Sequence, residues 1–270
     1  MAGAVRLGLV VHASRQSAEA VARSLDTAAK ERGWTAVRTG LDRPLGGPFD
    51  VLVGVGGDGT LLEAAHLAHG ADIPVAGINL GRVGYLAEFD PARLDELLDT
   101  LAREPLPLIG RMTIRATTSD GGEWHGINDV IIEKVLSQRI VLVAVAIDGE
   151  HFTTYRADGI IVATPLGSTA YSLSAGGPVL DPGLEALVLT PVAPHSLLSR
   201  SLVLGPGTTI TFTVDGDRPV RINLDGREAT TLDPGGTLTV HRGERPVRFV
   251  SVGGRPFPQG VRKQFGLDHA

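Results

Sequence analysis

The sequence predicts an open, parallel-type α/β domain followed by an all-β-rich, sandwich-like domain. Three observations carry that expectation. Apolar runs of strand length alternate with helical patterns over roughly the first 105 residues. After residue 110 the helical pattern gives way to short β-branched runs separated by turn residues. The length of 270 residues suits about two domains at roughly 150 residues each.

The elements follow in order. Residues 5–12 form an apolar run, read as a buried strand. Over residues 17–32, Ala20, Val21, Leu25 and Ala28 recur at helical spacing, and Gly33 stands where a C-terminal cap belongs. Residues 51–55 and 73–78 read as further strands, and residues 61–68 resume a helical pattern. Asp90-Pro91 has the chemistry of an N-cap followed by a first-turn proline, opening a helix with Leu94, Leu97, Leu98 and Leu101. Beyond that, residues 130–132, 141–147, 159–163, 202–204, 209–214, 220–224, 237–240 and 247–252 read as strands. Asp148-Gly149, Asp215-Gly216, Asp225-Gly226 and Asp233-Pro234-Gly235-Gly236 supply the turns between them. The domains are therefore placed at 1–108 and 109–252. The tail, 253–270, carries Phe257 and Phe265 and is expected to return to the first domain.

Composition narrows the function. With 43% hydrophobic and 20% charged residues the chain has material for a packed core and does not resemble a disordered one. It has no cysteine, which excludes disulfides, thiolate metal sites and a cysteine nucleophile. A net charge of -5 argues against nucleic acid as a partner. No apolar run approaches the roughly 20 residues of a membrane span, and the N-terminus lacks a signal-peptide pattern, so no membrane partner and a cytoplasmic location are expected. Glycine is abundant, 35 of 270, so where it clusters matters.

The densest cluster follows the strand at residues 51–55: Gly54-Val55-Gly56-Gly57-Asp58-Gly59-Thr60. It lies between a strand and a helix, where open α/β sheets meet their ligands. Gly54, Gly56 and Gly59 satisfy G-x-G-x-x-G, yet a plain dinucleotide fold fits poorly. The strand is not the first in the chain, Asn79 rather than an acidic residue follows the next strand, and Asp58 would face a pyrophosphate. The N–H groups of Gly56, Gly57, Gly59 and Thr60 are candidates for phosphate or ATP binding. Asp58 is the candidate proton acceptor, or a group that helps hold Mg²⁺. The bland alternative is a tight turn in which Asp58 caps the helix. No P-loop lysine motif occurs.

The second cluster runs from Arg156 to Pro178. A buried strand over residues 160–163 leads into Thr164-Pro165-Leu166-Gly167-Ser168-Thr169, with Ser168 or Thr169 read as N-cap of a short helical turn over 170–175. Small hydroxyls beside exposed N–H groups suit a nucleotide, and Tyr171 is placed to flank a base. The serine-hydrolase motif G-x-S-x-G is absent.

Taken together, these segments resemble the NAD kinase family. The resemblance rests on the GGDG loop, an Asn79-to-Leu86 segment of the form N-x-G-R-x-G-Y-L, the pair Asn128-Asp129, and the run from Asp158 to Pro178. It covers roughly residues 51–252, and the Thr164-to-Pro178 run is its most specific part. It implies an NAD-kinase-like fold and transfer of a phosphoryl group from ATP, or polyphosphate, to the 2′-hydroxyl of the adenosine ribose of NAD. Mg²⁺ or another divalent cation would assist. Asp58 would be the general base, with Gly59 beside it on the dinucleotide. Asn128 and Asp129 would hold the adenosine half. Arg156 and Asp158 would line the NAD site, together with Thr169, Ala170, Tyr171, Ser172, Leu173 and Ser174. Arg139, Ala193 and Arg227 fall at family contact positions. No protein metal ligand is assigned, and a homodimer or homotetramer is expected. Two other readings stand beside this one: a lipid kinase of the diacylglycerol or sphingosine type sharing the GGDGT loop, and a dinucleotide-binding protein, non-catalytic or an oxidoreductase, in which the loop only holds NAD.

Overall fold

The computed structural model describes residues 4–41, 47–81, 87–136, 139–195, 198–253 and 256–267. They fall into two compact units, Met1–Gly110 with Val247–Ala270, and Arg111–Pro246. Of the segment from Asn79 to Leu86, the positions from Arg82 onward lie outside the described residues.

The alternating first part forms β1 (Arg6–Val11), α1 (Gln16–Glu31), β2 (Thr35–Thr39), β3 (Val51–Gly56), α2 (Asp58–Ala71), β4 (Val75–Asn79), α3 (Leu94–Leu101) and β5 (Leu108–Arg111). β3 and β4 are buried along their whole length. That is why they read as unbroken apolar runs, since parallel strands covered on both faces have no wet side. α1 packs Ala18, Ala22, Leu25 and Ala29 into the core. Its buried stripe is thus centred differently from the Ala20, Val21, Leu25, Ala28 spacing, with Leu25 common to both. Gly33 adopts φ +73 just past the helix end. Asp90 accepts a hydrogen bond from the Ala92 N–H (2.9 Å) and Pro91 opens a 3₁₀ turn into α3, which buries Leu97, Leu98 and Leu101. β2 is missing from the sequence reading, because Thr35-Ala36-Val37-Arg38-Thr39 is polar and only partly buried.

The second unit contains β6 (Ile114–Thr118), β7 (Glu123–Gly126), β8 (Asp129–Lys134), β9 (Val141–Ile147), β10 (Glu150–Ala157), β11 (Gly159–Ala163), α4 (Tyr171–Ser174), β12 (Leu187–Val192), β13 (Leu202–Leu204), β14 (Ile210–Val214), β15 (Val220–Leu224), β16 (Arg227–Leu232) and β17 (Thr237–Arg242). They make two six-stranded sheets, ordered β10-β9-β14-β17-β6-β7 and β13-β12-β11-β8-β15-β16. Alternate residues of both, including Val143, Phe212 and Leu238 from one and Ile132, Ile160 and Ile222 from the other, share one apolar core. This is the packing of a β-sandwich. Asp148-Gly149 and Asp225-Gly226 turn the β9–β10 and β15–β16 hairpins with positive φ at both residues (51 and 85; 50 and 77), the geometry such pairs favour. β11 is buried on both faces. Its inner face joins the sandwich core, while Ile161 and Ala163 pack with Ile131, Val188, Ala175 and Leu180 on the other.

The strand expected at 247–252 corrects the sequence reading. β18 (Val247–Val250) is followed by α5 (Phe257–Phe265), and β18 does not join the sandwich. It pairs in parallel with β4, giving the first unit the strand order β2-β1-β3-β4-β18-β5. Val250 lies in that unit's core. Periodicity identifies a strand but not its sheet, so a strand that follows seven predicted β segments is easily counted with them.

Candidate active site

In the first unit β1 pairs in parallel with β2 on one side and β3 on the other, and β3 continues to β4. The strand order therefore reverses direction between β1 and β3. Such a reversal opens a crevice at the carboxyl ends of the two strands. Gly57-Asp58-Gly59 follows β3 into that crevice, and residues 12–15 follow β1 into it. A cleft of about 1070 Å³ lies there, lined among others by His12, Arg15, Arg38, Thr39, Asp58 and Gly59.

The glycine loop has a specific backbone state. Gly57 is the N-cap of α2 and no side chain caps the helix. Asp58 is its first residue, so the capping explanation of this aspartate fails. The Thr60 and Leu61 N–H groups both turn back to the Gly57 carbonyl (3.0 and 3.1 Å). The N–H groups of Gly57, Asp58 and Gly59 have no partner among the described residues. Gly56 lies under Thr60, and a Cβ there would stand 2.7 Å from Thr60 Cβ. Thus Gly57 and Gly59 offer free donors. Thr60 spends its own N–H inside the turn and buries its side chain.

The Asp58 carboxyl makes no ion pair or hydrogen bond among the described residues. It keeps contact with solvent, but the surrounding protein removes enough water to raise its pKa above the ordinary carboxylate value. Arg15 stands close by. A Cβ on Gly57 would lie 4.0 Å from Arg15 Nη1, and one on Gly81 would lie 3.8 Å from it. Sequence reasoning missed Arg15, because nothing in a lone arginine between two polar residues marks it. Arg38 is held by Glu19 (2.8 Å). Glu63 accepts the Leu41 N–H (3.1 Å), which ties the chain after β2 to α2.

In the second unit the candidate residues collect at the two ends of β8 and β11. These strands are antiparallel, with Asp129 opposite Ala163 and Glu133 opposite Gly159. At the first end lie Asn128, Asp129 and the Thr-Pro-Leu-Gly-Ser run. The Thr164 N–H donates to the Asn128 carbonyl (2.8 Å), the Thr164 hydroxyl donates to the Ile127 carbonyl (2.7 Å), and the Gly167 N–H donates to that hydroxyl (3.0 Å). Across the same segment, Asp225 accepts the N–H groups of Ile127, Asn128 and Asp129 (2.7, 2.7 and 2.9 Å). The half-buried Asn128 carboxamide has no hydrogen bond among the described residues. Asp129 is only 3% exposed, and its carboxyl is pushed up to about 7, first by burial and then by the charge of Asp225.

At the other end, Asp158 pairs with Lys134 (2.6 Å). Both line a pocket of about 250 Å³ with Tyr171, Glu133 and Val192. Arg156 is exposed, and its carbonyl accepts the His195 N–H (2.7 Å), two residues beyond Ala193, which is exposed with φ +45. Arg139 lines a separate pocket of about 260 Å³. Arg227 is exposed directly after the Asp225-Gly226 turn.

The 164–180 segment differs from its expected cap geometry. Residues 167–169 form a 3₁₀ turn, α4 starts at Tyr171 behind Ala170, and neither Ser168 nor Thr169 caps it. The Ser168 hydroxyl donates to the Pro165 carbonyl (2.7 Å) and accepts the Leu180 N–H (3.0 Å). Ser172 is fully buried against Thr190 (3.1 Å). These hydroxyls hold the turn together. Tyr171 and Ser174 are exposed, while Thr169, Ala170 and Leu173 are partly so.

Residues 8–105 match the family described as ATP-NAD kinase N-terminal domain, and residues 127–252 match ATP-NAD kinase C-terminal domain. This chain belongs to the NAD kinase family. An NAD kinase of Gemmatimonas aurantiaca is 38% identical over 270 residues, covering 98% of this chain and 93% of that relative. An NAD kinase of Archaeoglobus fulgidus, solved with ATP, aligns with a TM-score of 0.76 at 26% identity, covering 96% of this chain and 99% of that one. A yeast NADH kinase, solved with NADH, shares the fold with a TM-score of 0.87 at 23% identity, covering 99% and 89%. The chain is thus an enzyme with NAD kinase activity, and the lipid-kinase and binding-only readings fall away.

Proposed function

We propose that this NAD kinase transfers the γ-phosphoryl group of ATP to the 2′-hydroxyl of the adenosine ribose of NAD, giving NADP, with Asp58 as general base. The observation that supports this most is the state of Asp58. It is an unpaired carboxyl with a raised pKa, standing beside free N–H donors at the reversal point of a parallel sheet. A ribose hydroxyl is a poor nucleophile, and an adjacent carboxylate that takes its proton gains roughly 10²–10⁴-fold. A raised pKa makes this carboxylate the stronger base.

The Gly57 and Gly59 N–H groups and the Arg15 guanidinium are assigned to the donor phosphates, where fixed donors meet the charge of a loose transition state. NAD is assigned to the second unit. Asn128 and Asp129 take the adenosine half, while Lys134, Asp158 and Tyr171, with Arg156 nearby, serve the far half. Five residues of extended chain separate the two ends of β8, about 17 Å, which suits an extended dinucleotide. Thr169, Ala170, Leu173 and Ser174 flank it, as do Arg139, Ala193 and Arg227. Among the described residues no three His, Cys, Asp or Glu side chains gather as a metal cluster. A lone carboxylate at Asp58 fits Mg²⁺ or another divalent cation held mainly by phosphate oxygens and water, which would neutralise phosphate charge when bound. We place the reaction in the cytoplasm, contributing to NADP biosynthesis, in a homodimer or homotetramer. Val203, on the edge strand β13 and more than half exposed, supports association through the second unit.

The test is incubation of the full chain with NAD, Mg²⁺ and either ATP or inorganic polyphosphate, followed by measurement of NADP. NADP formed with ATP supports the reading. Its absence with ATP overturns it, and formation only with polyphosphate would reassign the donor.

A further inference from the structure

We infer that Asp225 is a positioning residue of the dinucleotide site, fixing the backbone of Asn128 and Asp129 through three convergent hydrogen bonds. The inference rests on the reading that Asn128 and Asp129 hold NAD. Asp225 looks in the sequence like an ordinary hairpin residue, and its φ of +50 does serve the turn. Its carboxylate does something the turn does not need. It receives the N–H groups of three consecutive residues, with Oδ2 on Ile127 (2.7 Å) and Oδ1 on Asn128 and Asp129 (2.7 and 2.9 Å). Successive N–H groups that converge in this way form a concavity for an anion, and here the anion is built in from another strand. The Asp225 N–H completes the link by donating to the Asp129 carbonyl (3.1 Å).

Thr164 accounts for the opposite side of the same segment. It takes the Ile127 carbonyl with its hydroxyl and the Asn128 carbonyl with its N–H. The Asn128 peptide groups are therefore held at both N–H and C=O, while the side-chain carboxamide is left for a ligand. Placing such a group to within a fraction of an ångström requires this kind of supporting shell.

The charge of Asp225 has a second effect. It is the only charged group among the described residues that acts on Asp129. The β11 neighbour of Asp129 is Ala163, the residue preceding Asp225 on β15 is Leu224, and the 164–168 segment brings only the Thr164 and Ser168 hydroxyls. Held between burial and a neighbouring carboxylate, Asp129 titrates near neutrality, and in its protonated form it is an O–H donor as well as an acceptor.

The test compares the wild-type chain with Asp225→Asn, which tolerates positive φ and keeps one carbonyl acceptor but loses the charge. NAD and ATP binding are measured by calorimetry between pH 5.5 and 8.5, with the urea midpoint as a control on folding. We expect NAD binding to weaken by about 10-fold, the effect of roughly one lost charged hydrogen bond, with ATP binding within twofold of wild type. We expect NAD affinity to show an inflection near pH 7 in the wild type, set by Asp129, that moves to lower pH in Asp225→Asn and disappears in Asp129→Asn. A purely structural turn residue would not move that inflection. Asp225→Ala makes a harsher comparison, and if it does not fold, Asp225→Asn still decides. NAD affinity within twofold of wild type with an unmoved inflection would overturn the inference. Failure of the wild-type chain to bind NAD at all would overturn the site reading, and this inference with it.

Discussion

Gly167→Ala offers a sharp test of how the second unit places Asn128. A Cβ at Gly167 would overlap the carbonyl carbon and oxygen of Asn128 and stand 2.6 Å from its Cα. Ordinary contact begins at 3.4 Å, so Asn128 must retreat by at least about 0.8 Å at its Cα, and its carbonyl by more. It has no slack for that retreat, because Thr164 holds its carbonyl and Asp225 its N–H. Either the overlap is borne as strain, about 1–3 kcal/mol, or a buried hydrogen bond is also lost at about 1–3 kcal/mol more. The expected loss of stability is therefore about 1–6 kcal/mol, read from urea unfolding. In the folded fraction, a displacement approaching 1 Å is expected to lower kcat/KM for NAD by roughly 10²-fold. Gly207→Ala, whose Cβ would meet nothing within 4 Å, is the matched control and should stay within about 0.5 kcal/mol of wild type. If Gly167→Ala unfolds at the wild-type midpoint and keeps wild-type kinetics for NAD, the account of a backbone held from both sides is wrong.

Further outcomes follow from the same geometry. Asp58→Asn should bind NAD within a few-fold of wild type and lose about 10²–10⁴-fold in turnover, as measured by single-turnover NADP formation; near-normal turnover would remove the general base. Arg15→Ala should raise KM for ATP several-fold and leave KM for NAD unchanged, and equal effects on both would refute its assignment to the donor. Asp129 is protonated in the folded chain up to about pH 7, whereas the unfolded chain releases that proton near 3.8. Its contribution to stability is therefore fully present below pH 3.8 and is lost as pH rises through 7, by at most about 4 kcal/mol. Asp129→Asn should remove this loss, so the variant gains on wild type between pH 5 and pH 8 in urea titrations. A difference that stays constant with pH would contradict the buried neutral state.

Much of the fold was legible because its signals are local. Unbroken apolar runs at β3, β4 and β11 report burial on both faces, and Asp-Gly pairs at 148–149 and 225–226 report hairpins. β2 and β16 escaped because their sequences alternate too weakly to separate from loop, being half-exposed edge strands, and β5, β6, β7, β10 and the buried β12 were not read either. The sheet membership of β18 is a long-range fact with no local trace. The site divides in the same way. The glycine loop and Asp58 announce themselves, since four glycines around one carboxylate fit no ordinary cap. Ser172 and Ser168 were visible as hydroxyls, but only packing reveals that they face inward. Arg15 carries no sequence signal of its own, and Asp225 signals only its turn. Each acquires meaning from the backbone it is folded against.

The position of β18 bears on how the chain is made. The second unit is an insertion in the first, leaving it after β5 and returning at β18, and these two strands are neighbours in one sheet. A ribosome therefore finishes the sandwich before it has delivered the strand that covers the edge of β4. Until then the nascent first unit carries an open parallel edge, the kind of template on which chains pair wrongly. Translation order thus makes the sandwich the independent folding unit and the parallel sheet of the first unit the dependent one. Truncation at residue 246 should yield a chain whose second unit is protected from proteolysis while its first is not.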